Sequence, residues 1–503
     1  MIKLLDCTLR DGGYYPNWDF DKDTATKYFQ YIDKLPIEYI EVGYRSVDKN
    51  NYLGEYFFLP LSTIKNIKKL TDKKLVLMLN AKDCVDIDFS KLLLNAKEYI
   101  SLIRIATDPN KFELSLNIAK ELKKLGFDVA LNIMYISKID ENHEFFNYLD
   151  GIENLIKYIY LVDSYGSIFP NDLIKLINLI KSKTDITLGF HGHNNLELAF
   201  INTINAIENG IKLVDSTVLG MGRGAGNLKT ELILMYLKSN HNIRVDLNSL
   251  GKLIETFQPL LEKYKWGTNL AYMVSGSYSL PQKDVMEALE IDRYSLAGIV
   301  NHLKHENEII LEKFISDKEF SNCIIVGGGE SVSQHITAIK EYLYLNPKTL
   351  IIHSTSKYIK LFEETKNIQY FAAAGDEILN INNYTKAISK YILEPSPRKV
   401  NISISTEVEC CELSKISFID RYFDSPLTIS LQISIDAKIE NINLVGFDGY
   451  VELKNKKALY LMQESQDIIK KFSDTKELIS LTPTKYTNIT KKSIYEILSN
   501  ESK

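Results

Sequence analysis

Eight short apolar runs, at residues 2–5, 39–42, 75–79, 102–106, 129–134, 159–162, 186–190 and 211–214, read as strands in the first half of the chain. Between them lie amphipathic helical patterns such as 21–34, 111–125, 171–183 and 196–209, each ending near Gly, Pro or polar residues. Alternation of this kind builds parallel sheet, either an open doubly wound sheet or a closed (β/α)8 barrel. The span to about residue 240 fits a barrel of the usual ~250 residues.

Two motifs decide between the open and closed forms. Asp6-Cys7-Thr8-Leu9-Arg10-Asp11-Gly12-Gly13 follows the first run, and His191-Gly192-His193-Asn194-Asn195 follows the seventh. Histidines at i and i+2 on extended chain project to one side. A carboxylate from one strand end and two imidazoles from another make a divalent-cation site only where those ends meet. In an open sheet in chain order the first and seventh strands lie far apart, whereas closure makes the seventh, eighth and first consecutive around one rim. Polar residues also cluster just after the other runs (Glu41, Asn80, Asp108, Asp163, Ser164, Asp215), where barrels place their chemistry.

The 503 residues exceed what one core organises, so further domains are expected. We divide the chain into a barrel at 1–240, a helical appendage at 241–315, a Rossmann-like α/β domain at 316–485 and a polar tail at 486–503. In the α/β domain an apolar strand at 323–326 runs into Gly327-Gly328-Gly329-Glu330-Ser331, then a helix and a strand at 349–353. The alternating run 427–435 and the run 442–445 read as further strands. The glycine turn has Val332 where a dinucleotide fingerprint needs its third glycine, which disfavours NAD. The turn could still present backbone amides to a phosphate, assisted by Ser331 and Ser333, or simply join strand to helix.

A net charge of −5 with interspersed acidic and basic residues argues against nucleic-acid binding. Five cysteines without metal-ligand spacing read as free thiols, and no apolar run reaches the length of a membrane span. A cytoplasmic protein is expected.

The Thr-Leu-Arg-Asp-Gly-Gly motif, the His-Gly-His-Asn-Asn-Leu run and the turn Gly220-Met221-Gly222-Arg223-Gly224-Ala225-Gly226-Asn227 occur in an order that resembles the DRE-TIM metallolyase (HMGL-like) superfamily. Within it, Asp163-Ser164-Tyr165-Gly166 and Ile103-Arg104-Ile105-Ala106-Thr107 are most similar to 4-hydroxy-2-oxovalerate aldolases. The resemblance covers about half the chain. It implies that Asp11, His191 and His193 bind a divalent cation, with Asn227 as an additional or supporting ligand. Mn²⁺ or Mg²⁺ is expected ahead of Zn²⁺ or Co²⁺. It further implies a carbon–carbon lyase acting on a 2-oxo acid and an aldehyde, including a sugar-like one.

Arg10 is the expected stabiliser of the enolate oxygen. Tyr14 stands where those aldolases have a histidine base, which makes Tyr14 the candidate acid/base, with Tyr15 or metal-bound water as alternatives. Glu41, Asn80, Arg104 and Ser164 are candidate substrate contacts; Glu41 could instead orient Arg10 or pair with Arg45, and strand-end polar residues also cap helices. The short segment 217–227 has no cysteine, unlike hydroxymethylglutaryl-CoA lyases. A Claisen-type synthase resembling 2-isopropylmalate synthase is the alternative enzyme, and a ligand-binding scaffold with a vestigial metal site is the alternative outside catalysis. Assembly into a homo-oligomer is left open.

Overall fold

The computed structural model describes residues 2–46, 52–291, 296, 299–300, 311–316, 318–375, 377, 387–396, 409–450 and 456–501. Two compact units make up the chain, Met1–Met286 and Glu287–Lys503.

In the first unit eight parallel strands close into a barrel in chain order: β1 (Lys3–Asp6), β2 (Tyr39–Tyr44), β3 (Lys74–Asn80), β4 (Ile100–Thr107), β5 (Val129–Ile133), β6 (Tyr158–Asp163), β7 (Thr187–Gly192) and β8 (Leu213–Ser216). Closure is made by β1 against β8, with Leu4 beside Val214 and Leu5 beside Asp215. All eight expected strands form, and the motif residues fall at their carboxyl ends. Inward-facing Leu5, Tyr39, Val76, Leu102, Tyr160 and Leu213 fill the barrel interior, while a larger apolar shell packs between strands and outer helices. A filled interior leaves the rim as the place for chemistry. Past the eighth strand the unit adds helices at Thr230–Asn240, Leu247–Tyr264 and Leu270–Ser277. The last is tied to the barrel by Asn195, whose side-chain amide donates to Tyr272 O and Ser275 Oγ at 3.0 and 3.2 Å.

The second unit contains an eight-stranded parallel sheet with strands β9 (Asn322–Val326), β10 (Leu350–His353), β11 (Gln369–Ala373), β12 (Lys390–Leu393), β13 (Glu409–Glu412), β14 (Asn441–Val445), β15 (Leu478–Ser480) and β16 (Thr490–Lys491). Their order is 13-12-11-10-9-14-15-16, so the sheet is doubly wound with its direction of growth reversing between β9 and β14. The glycine turn after β9 lies at that reversal, and the chain itself occupies several of its donors. Ser331 donates both its backbone N–H and its hydroxyl to Asp448, and Gly329 N–H donates to Gly446 O. Ser333 Oγ donates to Glu330 O.

One expectation is corrected here. The run 427–435 is not a strand but part of the helix Pro426–Asp436. Its Thr, Ser and Gln residues alternate with apolar ones, which mimics a strand. The helix is nevertheless buried on all sides, and Ser430 and Ser434 satisfy their hydroxyls on Pro426 O and Leu431 O within it. Alternation carries no strand signal when the polar positions are satisfied internally. The segment 486–503 holds β16 and a helix, Ile494–Glu501, whose Ile494 and Leu498 enter a core cluster with Ile339 and Leu343.

Gly166 follows β6 at φ +59°, a left-handed conformation, and a Cβ there would lie 2.8 Å from the Asn195 backbone nitrogen. Gly166→Ala therefore meets both a backbone penalty and a steric one. Its expected effect is a loss of about 2 kcal/mol, read as a lower denaturant midpoint for the barrel transition.

Candidate active site

The exit from β1 is fixed before any functional side chain is placed. Buried Asp6 accepts hydrogen bonds from Thr8 N–H, the Tyr28 hydroxyl and the Thr230 hydroxyl at 2.9, 2.6 and 2.8 Å. Thr8 Oγ1 accepts from Val218 N–H at 2.8 Å, joining this turn to the loop after β8. The short helical turn Thr8–Asp11 then delivers Arg10 and Asp11 to the rim. Gly13 is required by close approach, since a Cβ would sit 2.1 Å from the Trp18 ring, and Trp18 Nε1 donates to Arg10 O at 2.8 Å.

His191, on β7, and His193, just beyond it, project together, with ring centroids 4.9 Å apart. Each imidazole is oriented through Nδ1. His191 Nδ1 donates to Asp215 Oδ2 at 2.9 Å and His193 Nδ1 donates to Asp163 O at 2.7 Å. Both Nε2 atoms therefore turn toward Asp11, at 3.6 and 3.9 Å from Oδ2. Asn227 is brought alongside by an antiparallel bridge to His193, and its amide donates to Asp11 Oδ2 at 2.5 Å. Among the described residues Asn227 Oδ1 is buried with no hydrogen-bond partner. Two imidazole nitrogens and a carboxylate converge, with the Asn227 amide beside them, a donor set that fits a divalent cation of hard to borderline character. The Nδ1 hydrogen bonds are the outer contacts that orient metal-ligating histidines.

Electrostatics agree with that fit. Burial alone would raise the Asp11 pKa, but Arg10 and the histidines outweigh it and hold Asp11 well below the usual carboxylate range. Burial pushes His193 down to about 3, so its imidazole is neutral. For His191 burial is overcome by Asp11 and Asp215, which raise its pKa. The pocket thus draws positive charge to the point between His191 and Asp11. Cys7 Sγ lies 4.0 Å from His191 Nδ1, but that nitrogen already serves Asp215, and burial raises the thiol pKa well above its ordinary value.

Beneath these groups runs a closed circuit of charge. Arg10 donates from Nη1 to Asp11 Oδ1 at 2.6 Å and from Nε to Glu41 Oε2 at 2.7 Å. Glu41 Oε1 accepts from Arg104 Nη1 at 3.3 Å, and Arg104 Nη2 donates to Asp215 Oδ2 at 2.5 Å. Asp215 then holds His191, which faces Asp11 again. Arg104 is further fixed by Asn132 Oδ1 at 2.8 Å and by the face of Tyr160, 3.9 Å from the guanidinium carbon.

Glu41 and Arg104, expected to touch substrate, are both fully buried in this circuit and absent from the cavity wall. Both are consumed by internal pairing, so they position other groups instead. Arg45 does not pair with Glu41; it donates to the Leu92 and Leu59 carbonyls.

Above the circuit opens a cavity of about 260 Å³. Arg10, Asp11, His191, His193, Tyr14, Asn80 and Ser164 all reach its wall. Arg10 Nη2 has no acceptor among the described residues, so one arm of the guanidinium is left for whatever enters. Tyr14 packs edge-on against Trp18 at 4.7 Å. Tyr15 turns away from the cavity, stacking on Tyr264 and donating to Gly224 O at 3.3 Å. Sequence reasoning missed Asn132, Lys82, Lys111 and Arg223 on the wall and gave Asp215 no role, while Tyr44, which the sequence places over the barrel mouth, also reaches it. Asn132 could have been found as the one polar side chain inside the apolar run of β5, and Arg223 as the lone cation in a turn of small residues.

The site's residues and their order along the chain are shared with known proteins. The HMGL-like family model matches residues 1–257. An oxaloacetate decarboxylase of Mycobacterium tuberculosis is 27% identical over 49% of this chain and 73% of its own length. A 4-hydroxy-2-oxovalerate aldolase of Geobacillus thermodenitrificans is 27% identical over 52% of this chain and 77% of its own length. Among solved structures, the "N-terminal domain of a putative aldolase from Bacteroides vulgatus" is 45% identical, covers 59% of this chain and 99% of that one, and superposes with a TM-score of 0.57. The barrel, its rim motifs and these similarities place the chain in the HMGL-like family, as an enzyme of the lyase class.

Proposed function

We propose that the barrel makes or breaks the carbon–carbon bond between a pyruvate enolate and an aldehyde, using a divalent cation held by Asp11, His191, His193 and Asn227. The observation that carries this reading is the fork of Arg10. Two of its nitrogens are fixed by Asp11 and Glu41, and the third is left open beside the donor set. Mn²⁺ or Mg²⁺ is the proposed occupant, supplying Lewis-acid polarisation to a 2-oxo acid when bound.

The chain's own groups account for the remaining work. In the cleavage direction the C4 hydroxyl gives its proton to Tyr14 in its phenolate form, leaving the phenol; the C3–C4 bond breaks, and its electron pair passes through the new C2–C3 double bond into the C2 oxygen as the enolate forms. Arg10 Nη2 donates to that oxygen as charge develops, with no reorganisation because Glu41 and Asp11 already hold it. The aldehyde leaves, and C3 takes a proton to give pyruvate. Asn80 and Ser164 line the cavity where hydroxyl or carboxylate oxygens of the substrate need partners. No helix among the described residues is long and apolar enough to cross a membrane.

Cation binding requires neutral His191, whose pKa is raised in the unliganded protein. The protonated form competes, so apparent affinity is weakest at low pH, strengthens about tenfold per unit as pH rises, and levels off once pH passes the raised value. Calorimetric titrations with Mn²⁺ in buffers of different ionisation enthalpy should show that slope and the released proton. Metal-loaded protein should also exchange the methyl protons of pyruvate in D₂O, followed by NMR. Arg10→Lys should slow exchange roughly a hundred- to thousandfold, and Asp11→Asn should abolish it. Failure to exchange with Mn²⁺, Mg²⁺, Co²⁺ and Zn²⁺ alike would overturn pyruvate as the nucleophile.

A further inference from the structure

The cavity carries more positive charge than a 2-oxo acid alone can use. Besides Arg10, its wall includes Arg223, Lys82 and Lys111, and among the described residues none of these three enters an ion pair. Arg223 Nε is buried without a hydrogen-bond partner, while its guanidinium lies 5.0 Å from the Tyr14 ring centroid. The carboxylates on the wall are Asp11, committed to Arg10 and Asn227, and Asp108, which caps the turn after β4 by accepting from Asn110 N–H at 3.0 Å and Asn110 Nδ2 at 3.3 Å.

The placement of these cations matters as much as their number. Arg223 comes from the loop after β8, next to the proposed metal ligands, whereas Lys82 and Lys111 come from the loops after β3 and β4, across the rim. One three-carbon acid has one carboxylate and cannot answer both sides. A partly buried guanidinium whose inner nitrogen lacks an acceptor is costly unless a ligand supplies one.

We propose that the partner of pyruvate carries its own anionic group, a carboxylate or a phosphate, and that Arg223, with Lys82 and Lys111, receives it. This rests on the aldolase reading and narrows it: the acceptor is an anionic aldehyde in place of a small neutral one. Arg223 is the specificity-determining contact because its planar fork matches carboxylate and phosphate oxygens in pairs. The lysines add a field that draws the acceptor in.

The test compares aldol addition of pyruvate to four aldehydes by metal-loaded protein: succinic semialdehyde and glyceraldehyde 3-phosphate against butanal and glyceraldehyde. The expected ratio of kcat/KM, anionic over neutral, is at least tenfold, and the better anionic arm tells carboxylate from phosphate. Arg223→Ala and the double variant Lys82→Gln/Lys111→Gln should each shrink that ratio at least tenfold, with Arg223→Lys retaining part of it. The preference should also weaken as ionic strength rises. Equal rates on charged and neutral aldehydes, or an Arg223→Ala effect confined to the KM for pyruvate, would overturn the proposal. Pyruvate exchange without any aldehyde is measured alongside. If it is absent the aldolase reading fails, and calorimetric binding of the same four aldehydes then decides the inference, which is lost if the anionic pair binds no tighter.

Discussion

Everything at this rim depends on one circuit of charged hydrogen bonds that runs Asp11, Arg10, Glu41, Arg104, Asp215, His191 and back to Asp11. Its members come from the ends of β1, β2, β4, β7 and β8, so it exists only because the barrel is closed. Burying so many charges is expensive unless each finds a partner. Here three carboxylates face two guanidiniums, which leaves an excess of negative charge at the point where the two Nε2 atoms and Asp11 converge. The same pairing that makes the floor tolerable leaves the rim tuned for a cation.

The circuit also divides labour between its two arginines. Arg104 is fully enclosed, held by Glu41, Asp215, Asn132 and the Tyr160 face, and it can only position. Arg10 shares Glu41 with it but stands one layer higher and keeps a donor open to the cavity. Preorganisation of this kind is what lets a guanidinium stabilise developing charge without first moving. It also explains why a polar layer sits so deep: the groups that touch substrate are only as well aimed as the groups beneath them.

Much of this was legible in the residues. The eight strands could be read because each apolar run is bounded by turn residues. The pair His191 and His193 could be read because a two-residue spacing on extended chain has one geometric meaning. Glu41, Arg104 and Asp215 were visible as strand-end polar residues. Their pairing was not, because it is set by which strand ends the closed barrel makes neighbours, a long-range fact with no local signature. The same limit applies to Arg223, whose buried Nε is a property of the assembled loop. The helix Pro426–Asp436 misled for a different reason: its alternating polar residues imitate a strand, while Ser430, Ser434 and Gln432 bond within their own helix or to neighbours such as Ser417.

The direct test of the circuit is the Mn²⁺ affinity of Arg104→Met, measured by calorimetry in protein whose fold is verified by circular dichroism. Arg104 contacts none of the groups proposed to hold the cation. Simple Coulombic reasoning says that removing its positive charge tightens cation binding. If the circuit aims the ligands, the opposite follows: Asp215 loses its partner, His191 loses its orientation, and affinity falls by about ten- to a hundredfold. Unchanged or tighter binding would contradict the central role given to the circuit.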